Sequence, residues 1–196
     1  MNLISLVSLF VSCSLLSFLL YRFLCRFSEC SPVDVLPFLQ KIDLNALHDT
    51  FDPEAEDMLR RQLRPSEFKG VQWKRFHLAI HYCNMLTANS CILQGWTRYE
   101  RRQSWSSIAQ AKQNKVVELR NTCMRCRLAA FVIRVRLRWW LLRMTLLPFM
   151  SPPSFKTLLR LGSPEMISFY DEVRTMAEAF SLAYGADYHQ QLMQLL

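Results

Sequence analysis

A chain of 196 residues, half of them apolar, with a formal charge of +8, is long enough for one domain and an apolar anchor. Gly70, Gly95, Gly162 and Gly185 are its only glycines. Phosphate-cradling loops and tight β-hairpins need glycine for positive φ, so both are all but excluded. No Val/Ile/Thr-rich run alternates with period two, which leaves an all-α fold. Seven cysteines, an odd number with one inside the apolar start, do not suit a secreted disulfide framework and read as reduced thiols.

Residues 1–27 read as a transmembrane anchor. Asn2 to Tyr21 carry no charged side chain, and as a helix they would span about 30 Å, the depth of a bilayer's hydrocarbon core. A cleaved signal peptide would want a basic start and a shorter apolar run. Arg22 and Arg26 lie on the C-terminal flank only, so the positive-inside tendency puts the N-terminus outside and the body in the cytoplasm. Cys25 and Cys30 at this edge could be acylated, although unmodified thiols are the simpler expectation.

Residues 28–64 form an acidic connector with short helices expected at about 33–41, 43–51 and 53–63. Asp43 and Asp52 are the expected N-caps of the second and third, and Pro53 suits a first helical position. The helical bundle follows over 65–196. Its first long helix, about 65–103, shows a heptad pattern at Phe68, Val71, Arg75, Leu78, Tyr82, Met85, Asn89, Ile92, Trp96 and Tyr99. The second, about 105–147, runs through Trp105, Ala109, Lys112, Val116, Leu119, Cys123, Cys126, Ala130, Ile133, Leu137, Trp140, Met144 and Leu147. Prolines 148, 152 and 153 end it. A last helix, about 164–184, carries Met166, Phe169, Tyr170, Val173, Met176, Ala177, Phe180 and Tyr184, and a short terminal helix follows Gly185. Three such stripes bury one another as an antiparallel bundle, in the manner of a coiled coil.

Charge is divided sharply. Arg60 to Arg160 sums to +17, whereas residues 29–57 sum to −7 and residues 165–196 to −4. Either the acidic segments pack beside the basic hairpin and neutralise it, or a basic face remains for anionic lipid. If the first long helix leads away from the bilayer, the second returns to it. Arg134, Arg136, Arg138, Trp139, Trp140 and Arg143 would then meet the headgroups, where arginine snorkels and indole sits at the boundary. Four arginines there argue against a second spanning helix. Nucleic acid is an unlikely partner, since no recognisable module accompanies the charge.

No catalytic, cofactor-binding or metal motif emerges. Cys123 and Cys126 form a C-x-x-C, but within a helix rather than at the helix start that redox pairs use. A hairpin folded near residue 104 would set Cys83 opposite about residue 125, giving three thiols and no fourth zinc ligand. His77 and His81 lack the glutamate of a zinc peptidase helix, and His48 and His189 stand alone. Arg75 and Asn89 fall on the apolar seam, where a polar side chain fixes helix pairing. The expectation is a single-pass membrane-anchored helical scaffold or adaptor without catalytic activity, binding another protein or a second copy of itself. The alternative is a membrane-surface module that binds anionic lipid through the Arg/Trp-rich helix.

Overall fold

The computed structural model describes residues 29–103, 110–147, 151–159 and 163–196. The anchor segment lies outside these residues. Among them no helix is long and apolar enough to cross a membrane.

The acidic connector folds as α1 (Pro32–Phe38), α2 (Leu44–Phe51) and α3 (Pro53–Gln62). Three of its acids serve as caps. The Asp43 carboxylate accepts from the amides of Asn45 and Ala46, and Asp52 accepts from those of Glu54 and Ala55. Asp34 takes the amide and hydroxyl of Ser31. Each occupies orphan N–H groups at a helix start and favours the positive end of its dipole.

The long helices are α4 (Pro65–Gln103), α5 (Gln110–Leu146) and α7 (Ser163–Ser181). The four-residue α6 (Lys156–Leu159) precedes α7; a 3₁₀ turn (Leu182–Tyr184) and α8 (Ala186–Leu195) follow it. Among the described residues every regular element is helical. Proline at the first position starts α4, where Glu67 accepts from the Arg64 amide. Helix α5 runs antiparallel to α4, as paired contacts show: Phe76 with Trp140, Asn84 with Arg134, and Gln94 with Arg127. Helix α7 runs parallel to α4, since Cys83 meets Met166, Asn89 meets Tyr170 and Trp96 meets Phe180. The body is therefore an up–down–up bundle, as the three stripes predict.

The connector returns along α4 in the opposite direction. Glu29 pairs with Arg102, Gln40 with Asn89, and the end of α2 with Arg75. Val35, Leu39, Ile42, Leu47 and Phe51 belong to the same core as the long helices, so the connector is part of the packed body rather than a spacer. Glu56 closes this layer from α3: its buried carboxylate accepts from the Phe155 amide at 2.7 Å and the Ser154 hydroxyl at 3.0 Å.

Two registers fared differently. In α5 every seam position from Val116 to Met144 is buried, as expected; Leu147 is exposed. In α4 the expected positions Phe68, Asn89 and Trp96 are buried, but much of the core seam lies one residue further along, through Phe76, Ala79, Cys83, Leu86, Ser90 and Leu93, while Leu78 faces outward and Val71, Tyr82, Met85 and Ile92 are only half-buried. This line mixes the small Ala79, Cys83 and Ser90 with the larger Phe76, Leu86 and Leu93. Cys83 also lies level with Arg134 rather than with residue 125, because Asn84 beside it accepts from the Arg134 guanidinium at 2.9 Å. The pairing of the two helices is centred more than a turn further along the chain than a fold at residue 104 gives.

Candidate functional site

Helix α5 carries seven arginines and no acid between residues 120 and 147. Its inner seam is buried, yet its outer side is also apolar. Leu128, Val132, Val135, Trp139, Leu142 and Leu146 are each between 46% and 68% exposed. Their spacing alternates four and three, which places all six in one stripe about 27 Å long, roughly opposite the core seam. Arg125, Arg136, Arg138 and Arg143 border it. A surface helix normally has one apolar stripe, and a contiguous exposed one marks a contact surface. The sequence reading missed this second seam because it assigned the α5 apolar residues to the core register alone; a 4-3 test at a second phase finds it.

Most of the sequence-selected lipid-contact residues border or join this stripe. Trp139 lies in it and is the most exposed of the aromatics there; Arg136 and Arg138 are exposed beside it. Arg134 is half-buried, bonded to Asn84 and set over the Phe131 ring, with burial pulling its pKa down. Arg143 is half-buried. Trp140 is a correction: it is 4% exposed and packs on Phe76 with ring centroids 5.4 Å apart, so it serves the core and offers no headgroup contact. Position on the heptad seam outweighed the Arg/Trp pattern at that residue.

The described body begins at Glu29, beside Arg102 at the end of α4. Any segment preceding Glu29 therefore meets the body near the end of α4. Residues 134–143 lie about 20 to 35 Å along α5 from Arg120, which lines the same end of the helix pair as Arg102. The connector runs back along α4 before α4 begins, so Glu29 and the Arg/Trp-rich segment stand at opposite ends of the helix pair.

Arg75 and Asn89 both act within the chain. The Asn89 side chain is fully buried; its Oδ1 accepts from the Gln40 amide at 2.9 Å, and its Nδ2 donates to the Gln40 carbonyl and to the Tyr170 hydroxyl at 2.8 and 3.0 Å. It thus ties connector, α4 and α7 together. Arg75 Nη2 donates to the carbonyls of Asp49, Thr50 and Asp52 at the end of α2, and the guanidinium lies 4.9 Å from the Phe155 ring centroid. Burial lowers its pKa, against the opposing pull of Glu56 and Asp52.

Reactive arrangements do not converge. Burial pushes the Cys83 thiol up to about 12 and Cys126 to about 11, and Cys123 rises with them, so the C-x-x-C holds neutral packing groups. His77 and His81 are exposed. His189, isolated in sequence, has its Nδ1 2.8 Å from the Ser181 hydroxyl, but that hydroxyl is fully buried and within reach of the Glu178 carbonyl. It holds α8 to α7 and presents no nucleophile. A cleft of about 500 Å³ beside α2 and α7 is lined by His48, Asp49, Asp52 and Asp171 among others, with Asp52 committed to its cap. Among the described residues no group of three or more His, Cys, Asp or Glu side chains could hold a metal ion.

Comparison with known proteins finds no family, no curated protein and no solved structure that matches this chain. The class defined by its own residues is an all-α bundle with a basic, doubly apolar helix on its surface.

Proposed function

We propose that this is a single-pass membrane-anchored helical scaffold or adaptor without catalytic activity, held by residues 1–27 with its body in the cytoplasm. The observation that carries the reading is the exposed 4-3 stripe from Leu128 to Leu146. Such a stripe is the face by which one amphipathic helix docks on another. Its arginine borders select the occupant. A second copy would bring arginine against arginine, whereas a partner helix with acidic flanks would complement them. The interior supports the same view through Asn89, Arg75 and Gln94, whose side chains join one helix to the next.

A second reading has a specific observation in its favour. Trp139 between Arg136 and Arg138 suits a bilayer surface, against which α5 would lie on its side. Photo-crosslinking separates the two. A photoreactive residue is placed at Val132 or Trp139 on the stripe, and at exposed His81 on α4 as control, in the full chain in native membranes. Protein adducts of defined mass from 132 and 139 but not 81, abolished by Leu142→Arg, support the scaffold. Adducts with lipid alone support the surface reading, and equal labelling from all three positions refutes both.

A further inference from the structure

At the α4–α5 turn, opposite in the bundle to the Arg/Trp-rich segment, four arginines surround a pocket of about 270 Å³. Arg98, Arg101 and Arg102 come from α4 and Arg120 from α5; Glu29, Thr97, Val116 and Val117 complete the lining. Glu29 is the one carboxylate of the lining and already accepts from Arg102 Nη1 at 2.7 Å. The wall therefore carries four positive charges against one negative. Arg101 and Arg102 close α4, where cations complement the negative end of the helix dipole. Arg98 lies outside that end and Arg120 is well inside α5, so the dipole accounts for neither.

Behind the pocket lies a second observation. The Arg127 side chain is 1% exposed, and its Nη1 donates to Gln94 Oε1 at 2.6 Å. Gln94 Nε2 in turn donates to the Arg120 carbonyl at 3.3 Å. Arg98 acts on this buried guanidinium with like charge, and burial lowers the Arg127 pKa still more. The acids of α4 and α5 are only Glu67, Glu100 and Glu118, and Glu100 accepts from the Tyr184 hydroxyl. The four arginines of the lining thus outnumber its single carboxylate. An anion in the pocket would offset their mutual repulsion.

We infer that the Arg98, Arg101, Arg102 and Arg120 pocket binds a phosphate group, presented either by an anionic phospholipid or as free phosphate. Guanidinium forks match phosphate oxygens in pairs, and the pocket is below the range of about 300–1,000 Å³ usual for larger ligands. Glu29 holds Arg102 when the pocket is empty and is displaced toward solvent when phosphate enters. Val116 and Val117 give one apolar wall, suited to the carbon skeleton beside a headgroup. The lipid source rests on the anchor reading, because an anchor ending just before Glu29 would bring this turn to headgroup level.

The test uses the full chain in neutral detergent micelles, with ligand affinity read from thermal stabilisation. The probes are dihexanoyl phosphatidic acid, dihexanoyl phosphatidylcholine as zwitterionic control, and orthophosphate. Phosphatidic acid is expected to stabilise the chain, with affinity falling about tenfold or more in Arg98→Gln/Arg120→Gln and remaining unchanged in Arg136→Gln/Arg138→Gln. Orthophosphate matching the lipid at equal concentration assigns the site to free phosphate; a response to the anionic lipid alone assigns it to headgroups. Equal stabilisation by phosphatidylcholine, no response to either anion, or a full response in the Arg98/Arg120 variant overturns the inference. Alkaline carbonate extraction of the same chain from membranes reads the anchor separately, so one can fail without the other.

Discussion

Replacing Asn89 by Ala removes three hydrogen bonds from the one residue that joins connector, α4 and α7. Each is worth about 1 kcal/mol net, and the buried Tyr170 hydroxyl left behind adds a desolvation penalty of similar size. The sum is about 3 to 4 kcal/mol. For a chain of this length 1 kcal/mol shifts Tm by roughly 2–4 °C, so the variant should melt roughly 6–16 °C lower. Tyr170→Phe loses a single bond and should cost about 1 kcal/mol. The two changes share a contact and should not add: Asn89→Ala on the Tyr170→Phe background should cost about 1 kcal/mol less than on the native chain. Circular dichroism melts of the full chain in neutral detergent measure all four corners of the cycle. A shift below about 2 °C for Asn89→Ala, or strict additivity, would refute the assignment of Asn89 as a three-way clamp.

Two further predictions concern other parts of the body. Arg75→Met removes a charged donor from three carbonyls, at about 1.5 to 3 kcal/mol, and should speed hydrogen exchange in α2 and α3 while α5 stays protected. Unchanged exchange in α2 would sink the claim that Arg75 caps it. For the thiols, the folded chain keeps its protons until about 12 at Cys83 and about 11 at Cys126, whereas an exposed thiol releases its proton near 9. Stability from this source is therefore full below about pH 9 and declines as pH rises toward 11–12, by up to about 1.4 kcal/mol per unit for each thiol. Both cysteines should resist alkylation at pH 8, and Cys126→Ala should flatten the alkaline fall in Tm; rapid labelling of the folded chain would contradict the burial argument.

Much of the fold is legible in the residues alone. Caps at Asp43 and Asp52, proline at the starts of α3 and α4, and the inner seam of α5 follow from local chemistry and helical periodicity, which tertiary packing leaves intact. The α4 register is only partly legible: Phe68, Asn89 and Trp96 of the expected pattern are buried, but between them the core line shifts by one residue to Phe76, Ala79, Cys83 and Leu86. A helix with neighbours on two sides buries a broad arc, and size alone does not locate its centre. Asn89 was legible as a polar residue that fixes helix pairing; its partners, a backbone amide 49 residues away and a tyrosine hydroxyl 81 residues away, were not. The arginine pocket escaped because its members come from two helices and its single acid from the connector. Only the return path of residues 29–52 brings Glu29 to Arg102.

The two apolar stripes of α5 have a consequence for how the chain finds its structure. Hydrophobicity alone gives this helix no inside and outside, since either face could collapse onto α4. What separates them is the order of sizes: the inner line places the small Cys123, Cys126 and Ala130 before the large Ile133, Leu137, Trp140 and Met144, whereas the outer one has no small residue between Leu128 and Leu146. Small meets small where Ser90 lies beside Cys126, and large meets large where Trp140 packs on Phe76. With the outer line turned in, Leu128 and Val132 would take the places of Cys126 and Ala130, hold the backbones apart and leave voids beside them. Orientation is thus proofread by fit rather than by greasiness, and widening one inner residue, such as Ala130→Phe, should make the helix ambivalent about which way to face.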